Sequence, residues 1–172
     1  MMRFRIISVL GVVAILTVGS ILVHGTQLAA ADQGSALALA PTWKLKDLNG
    51  KEVSSDQFKG KVLIVDFWAT WCGPCLSEIP GYIELEKKYG AKGLAIVGVS
   101  LDRQSPKYVQ KFARDHGMNY TIVMGDEDVV AAFGNFDAIP TTFLIDREGR
   151  IAHQKTGAMP HDQYEAIVKK VL

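Results

Sequence analysis

Two short runs of this chain are apolar almost without a break, Lys61-Val-Leu-Ile-Val-Asp-Phe-Trp68 and Gly93-Leu-Ala-Ile-Val-Gly-Val-Ser100. A strand with one wet face alternates polar and apolar residues, so an unbroken β-branched and aromatic run predicts a strand covered on both faces. Between and after these runs the period changes. From Cys72 to about Tyr89 the pattern is helical, with Ile79, Ile83 and Leu85 apolar, and Pro80 is expected to kink the helix because it removes a backbone donor. Ser105-Pro106 supplies an N-cap followed by proline at the first helical position, which predicts a helix to about His116. A short strand over Thr121–Val123, a short helix over Glu127–Phe133 and a strand over Thr141–Asp146 follow, and the last of these reverses at Arg147-Glu148-Gly149 into Arg150–Thr156. A final helix after Pro160 puts Tyr164, Ile167, Val168 and Val171 on one face.

Ahead of these elements, Leu45–Leu48 and Lys51–Val53 flank Asn49-Gly50, a dipeptide that favours a two-residue hairpin turn because both positions tolerate positive φ. The alternation of strand and helix signals, with no internal repeat, predicts an α/β fold. Its central mixed sheet should carry helices on both faces and begin with an N-terminal β-hairpin.

Residues 1–23 read differently. Arg3 and Arg5 precede Ile6–Val23, a stretch with no charged residue, which is the pattern of a signal sequence or an N-terminal membrane anchor. The stretch is short for a spanning helix of roughly 20 residues, yet longer than most cleavable apolar cores of about 7 to 15. Ala29-Ala30-Ala31 offers a small-residue cleavage site, so both fates stay open. In either case the two arginines keep the N-terminus inside, and the rest is exported to the periplasmic or extracytoplasmic face of the cell membrane. Residues 24–40 are small and carry one charge, which suits a linker, and residues 41–172 form the domain. Without residues 1–31 the chain has 17 basic and 18 acidic side chains and no basic cluster, which sets nucleic-acid binding aside.

Cys72 and Cys75 are the only cysteines, and they sit where a buried strand gives way to a helix. At a helix N-terminus the macrodipole and unpaired N–H groups favour thiolate over thiol, so Cys72 should be ionised and nucleophilic at neutral pH. Cys75, one turn further in, is placed to resolve the mixed disulfide that Cys72 forms. Other uses of the pair lack what they need. Structural zinc takes four ligands and there is no second pair; haem attachment needs histidine at position 76, which is Leu76; and a purely structural bridge over two residues adds little stability. No metal and no cofactor are expected.

The segment Val65-Asp-Phe-Trp-Ala-Thr-Trp-Cys-Gly-Pro-Cys75 resembles the active site of thioredoxin, and residues 41–172 as a whole resemble the membrane-tethered TlpA/ResA branch of that superfamily. Cys75-Leu-Ser-Glu-Ile-Pro80, Val97-Gly-Val-Ser-Leu-Asp102 and Ala138-Ile-Pro-Thr-Thr-Phe-Leu-Ile-Asp146 fit the same branch in order and spacing. The resemblance implies a thioredoxin-like fold with an extra βα-type insertion opening at Val97–Asp102. It also implies a cis Ile139–Pro140 bond packed against the cysteines. Trp71, Gly73, Pro74, Ile139, Pro140 and Gly157 would then meet substrate, with Ala158 completing the rim.

Asp66 interrupts a buried strand, and an acid there is costly unless it has a task or a partner. In thioredoxins an aspartate six residues before the first cysteine assists proton transfer. The TlpA/ResA branch usually has asparagine there and uses a glutamate three residues after the second cysteine, matched here by Glu78. This sequence has both, as alternative or cooperating bases with burial raising the carboxyl pKa; the competing expectations are a structural acid at Asp66 and a solvated carboxylate at Glu78.

The expected activity is thiol-disulfide oxidoreduction through a Cys72/Cys75 cycle, in the reducing direction that Gly73-Pro74 shares with thioredoxin. Partners implied by the family are disulfide-bearing exported proteins, apocytochrome c among them, and a CcdA- or DsbD-type membrane electron donor. A monomer is expected. The alternatives are a thiol peroxidase, whose threonine three residues before the reactive cysteine is replaced here by Ala69, and a redox-inert or zinc-binding interaction module.

Overall fold

The computed structural model describes residues 37–172, so the signal or anchor segment and most of the expected linker lie outside the described residues. Seven strands form one sheet: β1 (Lys44–Asp47), β2 (Glu52–Ser54), β3 (Val62–Trp68), β4 (Leu94–Ser100), β5 (Thr121–Met124), β6 (Thr141–Ile145) and β7 (Ile151–Thr156). Their order across the sheet is β2-β1-β5-β4-β3-β6-β7. The two unbroken apolar runs occupy its middle, where β3 and β4 lie parallel and every residue of both is buried. β6 runs antiparallel to β3 and β7 antiparallel to β6, while β5 runs parallel to β4 and joins the β1–β2 hairpin.

Alternation along β3 sorts its side chains between two layers. Val62 and Ile64 face α1 (Gly73–Tyr89) and α4 (His161–Val171), packing with Tyr82, Leu85, Tyr89, Tyr164 and Val168. Leu63, Val65 and Phe67 face the opposite layer, which includes α3 (Glu127–Ala132) and a group of phenylalanines. Phe67 lies 5.2 Å from Phe133, 4.6 Å from Phe136 and 6.0 Å from Phe143, ring centre to ring centre. Helices therefore cover both faces. The insertion is α2 (Pro106–Asp115), set between β4 and β5 and capped by Ser105, whose hydroxyl accepts from the Tyr108 N–H.

Local chemistry departs from expectation in two places. The hairpin turn is not a two-residue one with positive φ at both Asn49 and Gly50: only Gly50 is left-handed, at φ +82°. Its N–H donates to the Asp47 carbonyl at 3.0 Å and the Asp47 N–H donates to the Lys51 carbonyl at 2.8 Å, so the loop is a four-residue turn closed by a glycine. Before Pro41 the backbone is already tied to the sheet, because Ala40 N–H donates to Gly149 and Ile151 N–H donates to Ala38, each at 2.8 Å.

Candidate redox site

Cys72 ends the loop that leaves β3 and caps α1, with an extended backbone and its sulfur accepting from the Cys75 N–H at 3.3 Å. The two sulfurs are joined in a disulfide, S–S 2.04 Å. The loop before them is pinned from the side by Asp102, which follows β4. Its buried carboxylate accepts from the Thr70 N–H at 3.0 Å, the Thr70 hydroxyl at 2.5 Å and the Ser100 hydroxyl at 2.8 Å, and the Leu101 N–H donates to the Trp68 carbonyl. Two parallel central strands thus hold the segment that carries Cys72.

The cysteines themselves are almost covered, Cys72 at 5% and Cys75 at 2% exposure, but their neighbours are open. Trp71 is 69% exposed, and Gly73 and Pro74 are exposed as well. Opposite them the Ile139–Pro140 peptide is cis, and the Ile139 carbonyl oxygen lies 3.7 Å from the Cys72 sulfur. Gly157, left-handed at φ +85°, donates its N–H to the Pro140 carbonyl at 2.8 Å. Trp71, Gly73, Pro74, Ile139, Pro140 and Gly157, far apart in sequence, are brought around the disulfide by these contacts and by chain adjacency.

Behind the sulfurs the surroundings turn polar and closed. Asp66 on β3 stands in register with Thr142 on β6, and Thr142 stands in register with Lys155 on β7, so the three side chains share the sheet face under α1. The Asp66 carboxyl accepts from the Thr142 hydroxyl at 2.8 Å and from the Tyr82 hydroxyl at 3.4 Å. Burial pushes its pKa up from 3.8 to about 7, against the pull of the Thr142 hydrogen bond and the Lys155 charge. Such a group can take or give a proton near neutrality.

Glu78 is neither solvated nor free. Its carboxylate meets the Lys155 ammonium at 2.8 and 2.9 Å and accepts the Met159 N–H at 3.0 Å, with side-chain exposure of only 7% for Glu78 and 4% for Lys155. Lys155 also donates to the Gly157 carbonyl at 3.2 Å and lies over the Tyr164 ring. The sequence reading missed Lys155. A lysine inside a predicted strand was the available signal, but counting back from the β6–β7 turn misplaces it. The ladder shifts register between Leu144 and Ile145; without that shift Gln154 instead of Lys155 would face Thr142.

The Redoxin family model matches residues 33–172. The chain belongs to the redoxin family. Among curated relatives, the thiol-disulfide oxidoreductase ResA of Bacillus thuringiensis (strain Al Hakam) is 32% identical over 132 residues, 77% of this chain and 76% of the relative. ResA of Geobacillus kaustophilus (strain HTA426) is 36% identical over 133 residues, 77% of this chain and 75% of the relative. Among solved structures, a thiol:disulfide interchange protein of the thioredoxin family from Chlorobium tepidum TLS superposes with TM-score 0.73 at 31% identity, covering 78% of this chain and 96% of that one. This redoxin therefore has the thioredoxin-like fold and is a ResA-like thiol-disulfide oxidoreductase, as its motifs implied.

Proposed function

We propose that this redoxin reduces disulfides of exported proteins, with Cys72 as nucleophile and Cys75 as resolving thiol. The observation that carries the reading is the disulfide at the N-terminus of α1, facing the Ile139 carbonyl beside a cis proline and rimmed by exposed Trp71, Gly73 and Pro74. In the reduced protein the Cys75 N–H and the helix dipole favour a Cys72 thiolate. It attacks a substrate disulfide and expels one substrate thiolate. Cys75, deprotonated, then attacks the Cys72 sulfur of the mixed disulfide and expels the second substrate thiolate, leaving the bridged state seen here and a substrate reduced by two electrons. A second dithiol must return those electrons. The Ile139 backbone and the Trp71 rim suit an extended substrate segment, which Gly157 would help to border.

The apolar N-terminal run supports export and anchoring, and in an oxidising compartment re-reduction has to come through the membrane, which favours a CcdA- or DsbD-type donor. Apocytochrome c disulfides are the substrate class that the family suggests first. Among the described residues no helix is long and apolar enough to cross a membrane, so the anchor would rest on residues 1–23. Insulin reduction and peroxide consumption, measured in parallel with the Cys72/Cys75 reduction potential, test the reading. Insulin turnover with a potential near the thioredoxin value of about −270 mV supports it; a value near about −120 mV reverses the direction, and peroxide turnover without insulin reduction makes the protein a peroxidase.

A further inference from the structure

We propose that Lys155 is a positioning residue for proton transfer: it clamps Glu78 into an ion pair and leaves Asp66 as the carboxyl that exchanges a proton with Cys75. The proposal rests on reading Cys75 as the resolving thiol, because that sulfur must lose its proton before it can attack Cys72 and displace the substrate thiolate.

The two acids are both buried, and they differ in what donates to them. Glu78 meets an ammonium and a backbone N–H, donors with no lone pair to accept a carboxyl proton. Asp66 meets two hydroxyls, Thr142 and Tyr82, which also lie 3.2 Å from each other. A hydroxyl can donate or accept, so this pair can satisfy Asp66 with or without its proton. Lys155 decides which acid receives the charge. It is in register with Thr142, one strand beyond Asp66, yet its ammonium is committed to Glu78 and the Gly157 carbonyl.

Three tyrosines around this row do not compete near neutrality. Tyr82 from α1, Tyr120 from the approach to β5 and Tyr164 from α4 are each pushed well above 10 by burial. His153 lies two residues earlier on β7, paired with Leu144, and His161 at the start of α4 faces Glu84 and Glu165. The charge attraction of Lys155 and the repulsion of Glu78 act on Asp66 in opposite senses, the attraction being the larger.

The test uses the reduced full chain and an aromatic disulfide whose two thiolates absorb when released. The first release follows attack by Cys72, and the second follows resolution by Cys75, so the pH dependence of the second isolates the step in question. The native protein should show a midpoint near 7, and Asp66→Asn should flatten the profile. Lys155→Met should raise the midpoint by about one pH unit, Glu78→Gln should lower it, and Lys155→Arg should restore it. Opposite movements support the proposal, because loss of packing alone would move both variants the same way. Unmoved midpoints, or loss of the transition in Glu78→Gln, overturn it. Should Lys155→Met fail to fold, the Glu78→Gln/Lys155→Met pair removes both charges at once; its midpoint should still lie above the native one, and an unmoved value overturns the assignment. Absence of the first release in the native chain would instead overturn the nucleophile assignment at Cys72.

Discussion

The disulfide divides two regions built on different terms. In front of it, Trp71, Gly73 and Pro74 are exposed, and the Ile139 carbonyl lies 3.7 Å from the Cys72 sulfur. Behind it, Asp66, Thr142 and Tyr82 are closed in and hydrogen-bonded together, and beside them Glu78 and Lys155 form a buried ion pair. A partner must be able to approach the first region from many directions, and water must be kept from the second so that a carboxyl can hold its proton up to neutral pH. One cysteine belongs to each.

Removing Cys72 should have the largest effect. Cys72→Ser should cut disulfide turnover by at least about a thousand-fold, whereas Cys75→Ser should still capture one substrate sulfur and accumulate a mixed disulfide visible by mass spectrometry. If both variants lost capture equally, the division between front and back would be wrong.

Asp66→Asn comes next and reads the closed side alone. The folded-state pKa of about 7 lies above the unfolded value of 3.8, so the folded chain binds this proton more tightly. Stability from this group is then greatest at low pH, falls as pH rises from about 4 to about 7, and stays low above that, a change of about 4 kcal/mol at most. The asparagine variant should lack this decline and be the more stable protein at pH 8 in urea unfolding of the oxidised chain. A decline of the same size in both would place the titration elsewhere.

Thr142→Val should cost about 1–2 kcal/mol, because it removes the shortest hydrogen bond to Asp66 and leaves buried polar atoms short of a partner. It should also shift the resolution step to higher pH, since the lost bond holds the Asp66 pKa down. Trp71→Ala is the mildest to the fold, within about 0.5 kcal/mol, and should slow reduction of a protein disulfide several-fold while leaving a small aromatic disulfide unaffected. Equal losses on both substrates would mean that Trp71 shapes the sulfur itself and not the docking of a partner.

The front was legible in the sequence and much of the back was not. Cys72, Cys75 and Pro140 stand in local motifs, and the strands and helices that carry them follow from apolar period, the Ser105-Pro106 cap and the long apolar runs. Asp66 announced itself as an acid in such a run. Its partners did not, because Thr142 and Lys155 lie on other strands and their place depends on register. One irregularity in the β6–β7 ladder was enough to hide the lysine. Asp102 went unread for a related cause: its contact with Thr70 joins two loops 32 residues apart.

The phenylalanines on the far side of the sheet bear on all of this. Phe136 comes three residues before Ile139 and packs with tilted rings against Phe67 and Phe143, so the loop presenting the Ile139 carbonyl is anchored by rings and not by charges. Apolar contact of that kind is blind to ionic strength and acidity. The geometry in which a partner is received should accordingly stay constant across salt and pH conditions that retune the chemistry one layer away.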